Sequence, residues 1–273
     1  MPPRRAKPLA VALLRRRTLF ALGLAPLAGR SRAAPPAPPA ALVAAASDLK
    51  FALDEIAAGF TAGTQAPLRI AYGSSGNFYR QIVQGAPFEL FMSADEGFVL
   101  QLAEQGLTLD RGELYGIGRL VLFAPSGAAW QPDAELAGLK QALRDGRITR
   151  FAIANPAHAP YGRAAQQALE RAGLWAAIEP KLVFGENATQ AAQFATSGSA
   201  QGGIFPLSLA MAPVFGDAGR YTTLPAALHE PLRQRMVLTR RAGAAASAFY
   251  RHLQGVEART LLRRYGFALP GDG

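Results

Sequence analysis

From residue 41 onward, short apolar runs alternate with segments whose apolar residues recur at helical spacing. Ala41 to Ala46 reads as a buried strand, and Asp48 to Phe60 as a helix with Leu49, Leu53, Ile56 and Phe60 on one face. Leu68 to Tyr72 reads as the next strand, followed by a helix over Asn77 to Gln84 that carries Phe78, Ile82 and Val83. Phe88 to Met92 is a predicted strand, Gly97 to Glu104 a helix, and Leu120 to Ala124 a strand ended by Pro125. The alternation resumes with a strand at Phe151 to Ala154, a helix at Gly162 to Ala172, and a strand at Lys181 to Phe184. A helix over Thr189 to Thr196, a strand at Gly203 to Phe205 and another at Met236 to Thr239 follow, and Ser247 to Tyr265 contains a C-terminal helix. Strands alternating with helices predict an α/β fold of parallel sheets covered on both faces. No repeat of fixed period is present.

Composition changes this picture in one respect. The 273 residues, 50% hydrophobic and 18% charged, suit one large globular domain or two modest lobes. A net charge of +10 first suggests a polyanion partner. Eight basic residues and no acid lie within residues 1–34, leaving 21 basic against 19 acidic side chains beyond them. The globular part is therefore nearly neutral, and nucleic acid is not expected as a partner. Residues 1–34 have the parts of an export signal: a basic start, an apolar run from Leu19 to Leu27, and small residues at Ser31-Arg32-Ala33-Ala34. That run is too short to span a bilayer. Arg16-Arg17-Thr18-Leu19-Phe20 resembles the twin-arginine export motif, so a periplasmic location is expected. Pro35-Pro36-Ala37-Pro38-Pro39 reads as a stiff leader into the domain. Cysteine is absent, which excludes disulfides, thiolate metal sites and a cysteine nucleophile.

Four strand-to-helix junctions share one chemistry: Ala46-Ser47-Asp48, Gly73-Ser74-Ser75-Gly76, Ala159-Pro160-Tyr161-Gly162 and Gly185-Glu186-Asn187-Ala188. Small or hydroxylated residues at such turns let the unpaired N–H groups of a helix N-terminus approach a ligand, and the helix dipole favours negative charge there. In open parallel sheets these turns lie at the carboxyl ends of the strands, where ligands bind. Each turn alone is an ordinary helix cap; four converging turns surround a small anion.

The segments Ala44-Ala45-Ala46-Ser47, Tyr72-Gly73-Ser74-Ser75-Gly76, Gln84-Gly85-Ala86-Pro87, Ser93-Ala94-Asp95-Glu96, Ala154-Asn155-Pro156, Ala159-Pro160-Tyr161-Gly162 and Gly185-Glu186-Asn187 occur in one order. That order resembles the periplasmic molybdate-binding proteins of ABC importers, from about residue 40 to the terminal Arg264-Tyr265-Gly266-Phe267. The resemblance implies a two-lobed periplasmic-binding-protein fold of type II, each lobe a mainly parallel sheet flanked by helices, with two strand crossovers as a hinge. On that reading residues 35–118 and 240–273 form the first lobe, residues 119–239 the second, and the ligand lies in the cleft between them. It further implies a molybdate or tungstate ligand, no cofactor, a membrane permease as partner and a monomeric chain. The family's ligands fall on Ser47 and Ser75, by hydroxyl and backbone, and on the backbone N–H groups of Tyr161 and Ala188. Ser74 and Asn77 flank the second turn as possible helpers.

Some family members place a tyrosine hydroxyl where Pro206 stands here, and proline offers neither a side-chain donor nor an N–H. Asn77 or the Tyr161 hydroxyl is the expected substitute. Asp48 reads as a first-turn acid facing solvent and favouring the helix dipole. With Asp48 outside the pocket, a site of donors alone suits a fully deprotonated tetrahedral anion and rejects hydrogen phosphate, whose proton would meet another donor. Sulfate and thiosulfate remain alternatives. A serine hydrolase is the rival from another class, but Gly-x-Ser-x-Gly would need glycine where Asn77 stands, and His158, His229 and His252 are scattered in sequence. His158 reads as a surface-loop residue. Glu89, Asp95 and Glu96 read as solvated or capping acids rather than a metal cluster. Gly116-Ile117-Gly118 fails as a dinucleotide fingerprint, and no Walker A, zinc or EF-hand pattern is present.

Overall fold

The computed structural model describes residues 40–271; the expected export signal and the proline leader lie outside the described residues. The first lobe begins with β1 (Ala41–Ala46), α1 (Lys50–Thr64), β2 (Leu68–Gly73), α2 (Ser75–Val83), β3 (Leu90–Ser93), α3 (Glu96–Glu104) and β4 (Glu113–Gly118). The chain then enters a second lobe through β5 (Leu120–Pro125), α4 (Ala137–Arg144), β6 (Phe151–Ala154), α5 (Pro160–Arg171) and α6 (Trp175–Ile178). It continues there with β7 (Leu182–Gly185), α7 (Ala188–Thr196), β8 (Gly203–Pro206), α8 (Leu207–Ala210) and β9 (Gly219–Thr223). It returns to the first lobe in β10 (Leu232–Leu238) and ends in α9 (Ala244–Leu253) and α10 (Val256–Arg264).

Each lobe holds a five-stranded sheet, ordered β2-β1-β3-β10-β4 in the first and β7-β6-β8-β5-β9 in the second. The orders are equivalent, and in each the fourth strand is antiparallel to its neighbours. The expected parallel pairings hold for β1 with β2 and β3 and for β6 with β7 and β8. The antiparallel exceptions have one cause: β5 and β10 are the strands by which the chain arrives from the other lobe. This is the two-lobed type II architecture.

One boundary differs from expectation. Strand β10 pairs with β3 and β4, so residues 232–239 belong with the first sheet and not with the second lobe. The crossovers are Arg119, between β4 and β5, and residues 224–231, between β9 and β10.

Side-chain alternation explains why the first sheet is covered on both faces. Val43, Ala45, Leu90, Met92 and Met236 join one core with α1, α9 and α10, whereas Ala44, Phe91 and Val237 join another beneath α2 and α3. The second lobe packs around Val121, Phe123, Ile153 and Phe205, under Ala165 and Leu169 of α5 and Ala192 of α7. The expected C-terminal helix is two helices, α9 and α10, interrupted at Gln254-Gly255.

Candidate anion site

The four turns meet because β1 and β2 are parallel neighbours in one sheet, β6 and β7 are parallel neighbours in the other, and all four end at the cleft. Ser47 follows β1 in a short 3-10 turn, Ser47–Leu49, and Ser74 and Ser75 follow β2. Tyr161 and Ala188 open α5 and α7. All five line one small cavity, together with Asp48, Ala46, Gly73, Ala94, Ala159 and Pro160. No lysine or arginine lines it.

The lobes are closed over this cavity by hydrogen bonds that run from one lobe to the other. The Gly76 amide donates to the His158 carbonyl at 3.0 Å, and the Ser74 hydroxyl lies 2.9 Å from His158 Nδ1. Asn77 Nδ2 donates to Glu186 Oε1 at 2.6 Å. The Thr189 amide donates to Ser47 Oγ at 3.2 Å, the Thr189 hydroxyl to the Ser47 carbonyl at 2.9 Å, and the Ser208 hydroxyl to the Asp48 carbonyl at 2.8 Å.

These bonds orient the site. Ser47 Oγ accepts from Thr189, and Ser75 Oγ accepts from the Ala94 amide at 2.9 Å. With an acceptor lone pair of each hydroxyl occupied, the hydroxyl protons are free to donate elsewhere. Among first-turn amides, Gly76, Asn77, Thr189 and Gln190 have acceptors. Those of Ser75, Tyr161 and Ala188 have none among the described residues, as expected of N-terminal helical N–H groups. The cavity thus presents two hydroxyls and three amides with helix dipoles behind them, donors held in place before any ligand arrives.

Several expectations change. Asn77 lies outside the cavity, held between Glu186 across the cleft and Arg80 on its own helix. Ser74 lines the cavity, but its oxygen caps α2 by accepting from the Asn77 amide and is joined to His158. His158 is not a surface-loop residue: it is 9% exposed and bridges the lobes. Ser74, His158 and Glu186 thereby acquire the residue types of a hydrolase triad without its geometry. His158 Nε2 stands 3.6 Å from Glu186, beyond hydrogen-bond reach, and Ser74 serves as a helix cap. Pro206 does not line the cavity, and the Tyr161 hydroxyl, the expected substitute donor, accepts from Gln234 Nε2 at 3.0 Å. Glu89, Asp95 and Glu96 are separately engaged: Glu89 with the Leu42 and Gly243 amides, Asp95 with the Gly97 amide and Arg163, and Glu96 with Arg233 and Arg235.

The largest departure is Asp48. Rather than facing solvent it is 1% exposed and lines the cavity. Leu49 and α1 carry the chain back into the first lobe while the turn is pressed against α7 and α8 of the second, which leaves the carboxylate no route to water. Burial raises its pKa from 3.8 to about 6, opposed in part by Gln234 and Tyr161. The condition on which hydrogen phosphate was to be rejected is therefore not met. Nothing in the sequence around Asp48 signals this; the burial comes from the opposite lobe.

A family model for bacterial extracellular solute-binding proteins matches residues 41–268. The chain belongs to this family. Among solute-binding relatives, the molybdate-binding protein ModA of Rhodobacter capsulatus is 35% identical over 230 residues, covering 83% of this chain and 87% of that protein. The molybdate-binding protein ModA of Azotobacter vinelandii is 34% identical over 256 residues, covering 93% and 97%. The solved structure of the Azotobacter vinelandii periplasmic molybdate-binding protein matches with a TM-score of 0.75 at 31% identity, covering 84% of this chain and 99% of its own.

Proposed function

We propose that this chain is the extracytoplasmic binding protein of an ABC importer, capturing molybdate or tungstate in the closed cleft and presenting it to a membrane permease. The observation that carries the reading is the cavity itself: two oriented hydroxyls and three unpaired amides converge without a cationic side chain. Such a set suits an anion whose every oxygen accepts hydrogen bonds, and charge-assisted bonds of this kind are about twice as strong as neutral ones. Ser47, Ser75, Tyr161 and Ala188 are the ligands, with Ser74 lining the same space. The molybdate-binding relatives support the identity of the anion, and the solute-binding family supports a non-enzymatic role in transport. Export by the twin-arginine-like signal and action as a monomer complete the reading.

Calorimetry with molybdate, tungstate, sulfate and phosphate on one anion-free sample tests it. Sub-micromolar binding of the first two, about 8 kcal/mol or better, is expected. Clear binding of sulfate beside no heat with molybdate or tungstate would refute it.

A further inference from the structure

Among the described residues, one buried side-chain polar atom has no hydrogen-bond partner: Oδ1 of Asp48. It belongs to a carboxyl that borders the cavity beside Ser47, Ser75 and Tyr161. Its other oxygen, Oδ2, accepts from Gln234 Nε2 at 2.7 Å. Gln234 is held in turn by the Tyr115 hydroxyl, which donates to its Oε1 at 2.7 Å. The carboxyl is thus fixed in orientation with one oxygen unsatisfied.

No cation balances it. Lys50 is paired with Asp54, Arg163 with Asp95, and Arg233 and Arg235 with Glu96. His158 turns to Ser74 and Glu186. On the remaining elements packed against the turn, Tyr72 of β2 bonds Asp54, Arg69 is exposed, Glu55 of α1 pairs with Arg264, and α7 and α8 carry no ionisable side chain. The ionisable groups that do face Asp48 are the hydroxyls of Tyr161 and Tyr115, and burial holds both well above the usual phenol range, so they stay neutral.

A carboxylate in this position would repel any anion in the cavity and leave a buried oxygen unpaired. One proton at Oδ1 removes the repulsion and turns the orphaned acceptor into an O–H donor. Resting on the oxyanion reading above, we propose that Asp48 is a ligand in its neutral acid form, and that each anion captured carries one proton from solvent onto Oδ1. No covalent bond to the anion forms; the carboxylate gains the proton and donates it as a hydrogen bond. Burial in the closed lobes already favours the protonated form, and a bound dianion acts in the same direction. Proton uptake on binding makes affinity rise as pH falls.

Calorimetric titration of the chain with sodium molybdate, at one pH in two buffers of different ionisation enthalpy, counts the protons. Uptake of about one proton per anion near pH 7 is expected, with affinity falling up to about tenfold per pH unit between about pH 6 and 8. Asp48→Asn, a neutral donor of the same shape, should take up no proton and lose the pH slope. Molybdate binding by the unaltered chain with no proton uptake overturns the proposal and leaves the oxyanion reading intact. Proton uptake that persists in Asp48→Asn places the proton elsewhere and also overturns it. A chain that binds none of the oxyanions overturns both readings. The proton count on the unaltered chain decides the matter even if the variant does not fold.

Discussion

Replacing Gly76 by alanine separates closure of the lobes from stability of the fold. An alanine Cβ at this position would stand 2.6 Å from the His158 carbonyl oxygen and 3.2 Å from its Cα, both across the cleft. Ordinary contact begins near 3.4 Å, so the second turn and the loop before α5 must separate by nearly an ångström. That displacement strains the Gly76 amide bond to His158 and the neighbouring Ser74–His158 and Asn77–Glu186 contacts. With hydrogen bonds worth about 0.5–1.5 kcal/mol each and overpacking about 1–3 kcal/mol, the closed form loses about 1–3 kcal/mol relative to the open one. A ligand that binds the closed form then loses about five- to 150-fold in affinity. The open form is not penalised: Gly76 lies in the first turn of α2, where alanine is the better helix former by up to about 1 kcal/mol. Titration calorimetry with molybdate should therefore show weaker binding while the thermal midpoint of the anion-free protein holds or rises. Unchanged affinity would refute the reasoning, because it would mean that closure does not bring these two backbones together.

Ser75→Ala removes a donor already oriented by the Ala94 amide and leaves that amide unpaired, so affinity should fall by about 1–3 kcal/mol, read by the same titration. Asp48→Asn tests the cost of the buried carboxyl. Its folded pKa of about 6 stands above 3.8, so the folded state holds the proton more tightly and stability declines as pH rises between those values. The substitution should therefore stabilise the closed form by up to about 3 kcal/mol above pH 6 and have little effect below pH 4, as measured by chemical denaturation across pH. Arg163→Ala breaks an ion pair with Asp95 across the cleft, but both side chains are a third or more exposed; affinity should change by less than about 1 kcal/mol, and less still in high salt.

How much of this was legible along the chain depends on how local its causes are. The run Ala41 to Ala46 is a strand in both readings because six apolar residues, all but the half-buried Leu42 fully buried, permit little else in a sheet covered on both faces. The four turns were visible because hydroxyls and glycines at strand ends are demanded locally, by capping and by close backbone approach; Ser47, Ser75, Tyr161 and Ala188 were picked out within them by the resemblance to molybdate-binding proteins. Strand β4 was not visible: Glu113–Gly118 carries two glycines and an exposed acid and is held by β10 and by the Ile117–Ala268 bridge. The first half of β10 was hidden by Arg233-Gln234-Arg235, polar residues that read as loop. There a register shift between Gln234 and Arg235 turns a glutamine with 0% exposure toward Asp48.

Asp48 marks the limit most sharply. Beside a serine at a helix start, an acid has every local reason to face water and the helix dipole. Only the second lobe, arriving from more than a hundred residues away with Thr189 and Ser208, encloses it and leaves one oxygen without a partner. Hydrophobic period and turn chemistry act over a few residues and can be read in the order they are written. The charge state of a buried group depends on what the fold brings from elsewhere to surround it, and only the tertiary structure decides that.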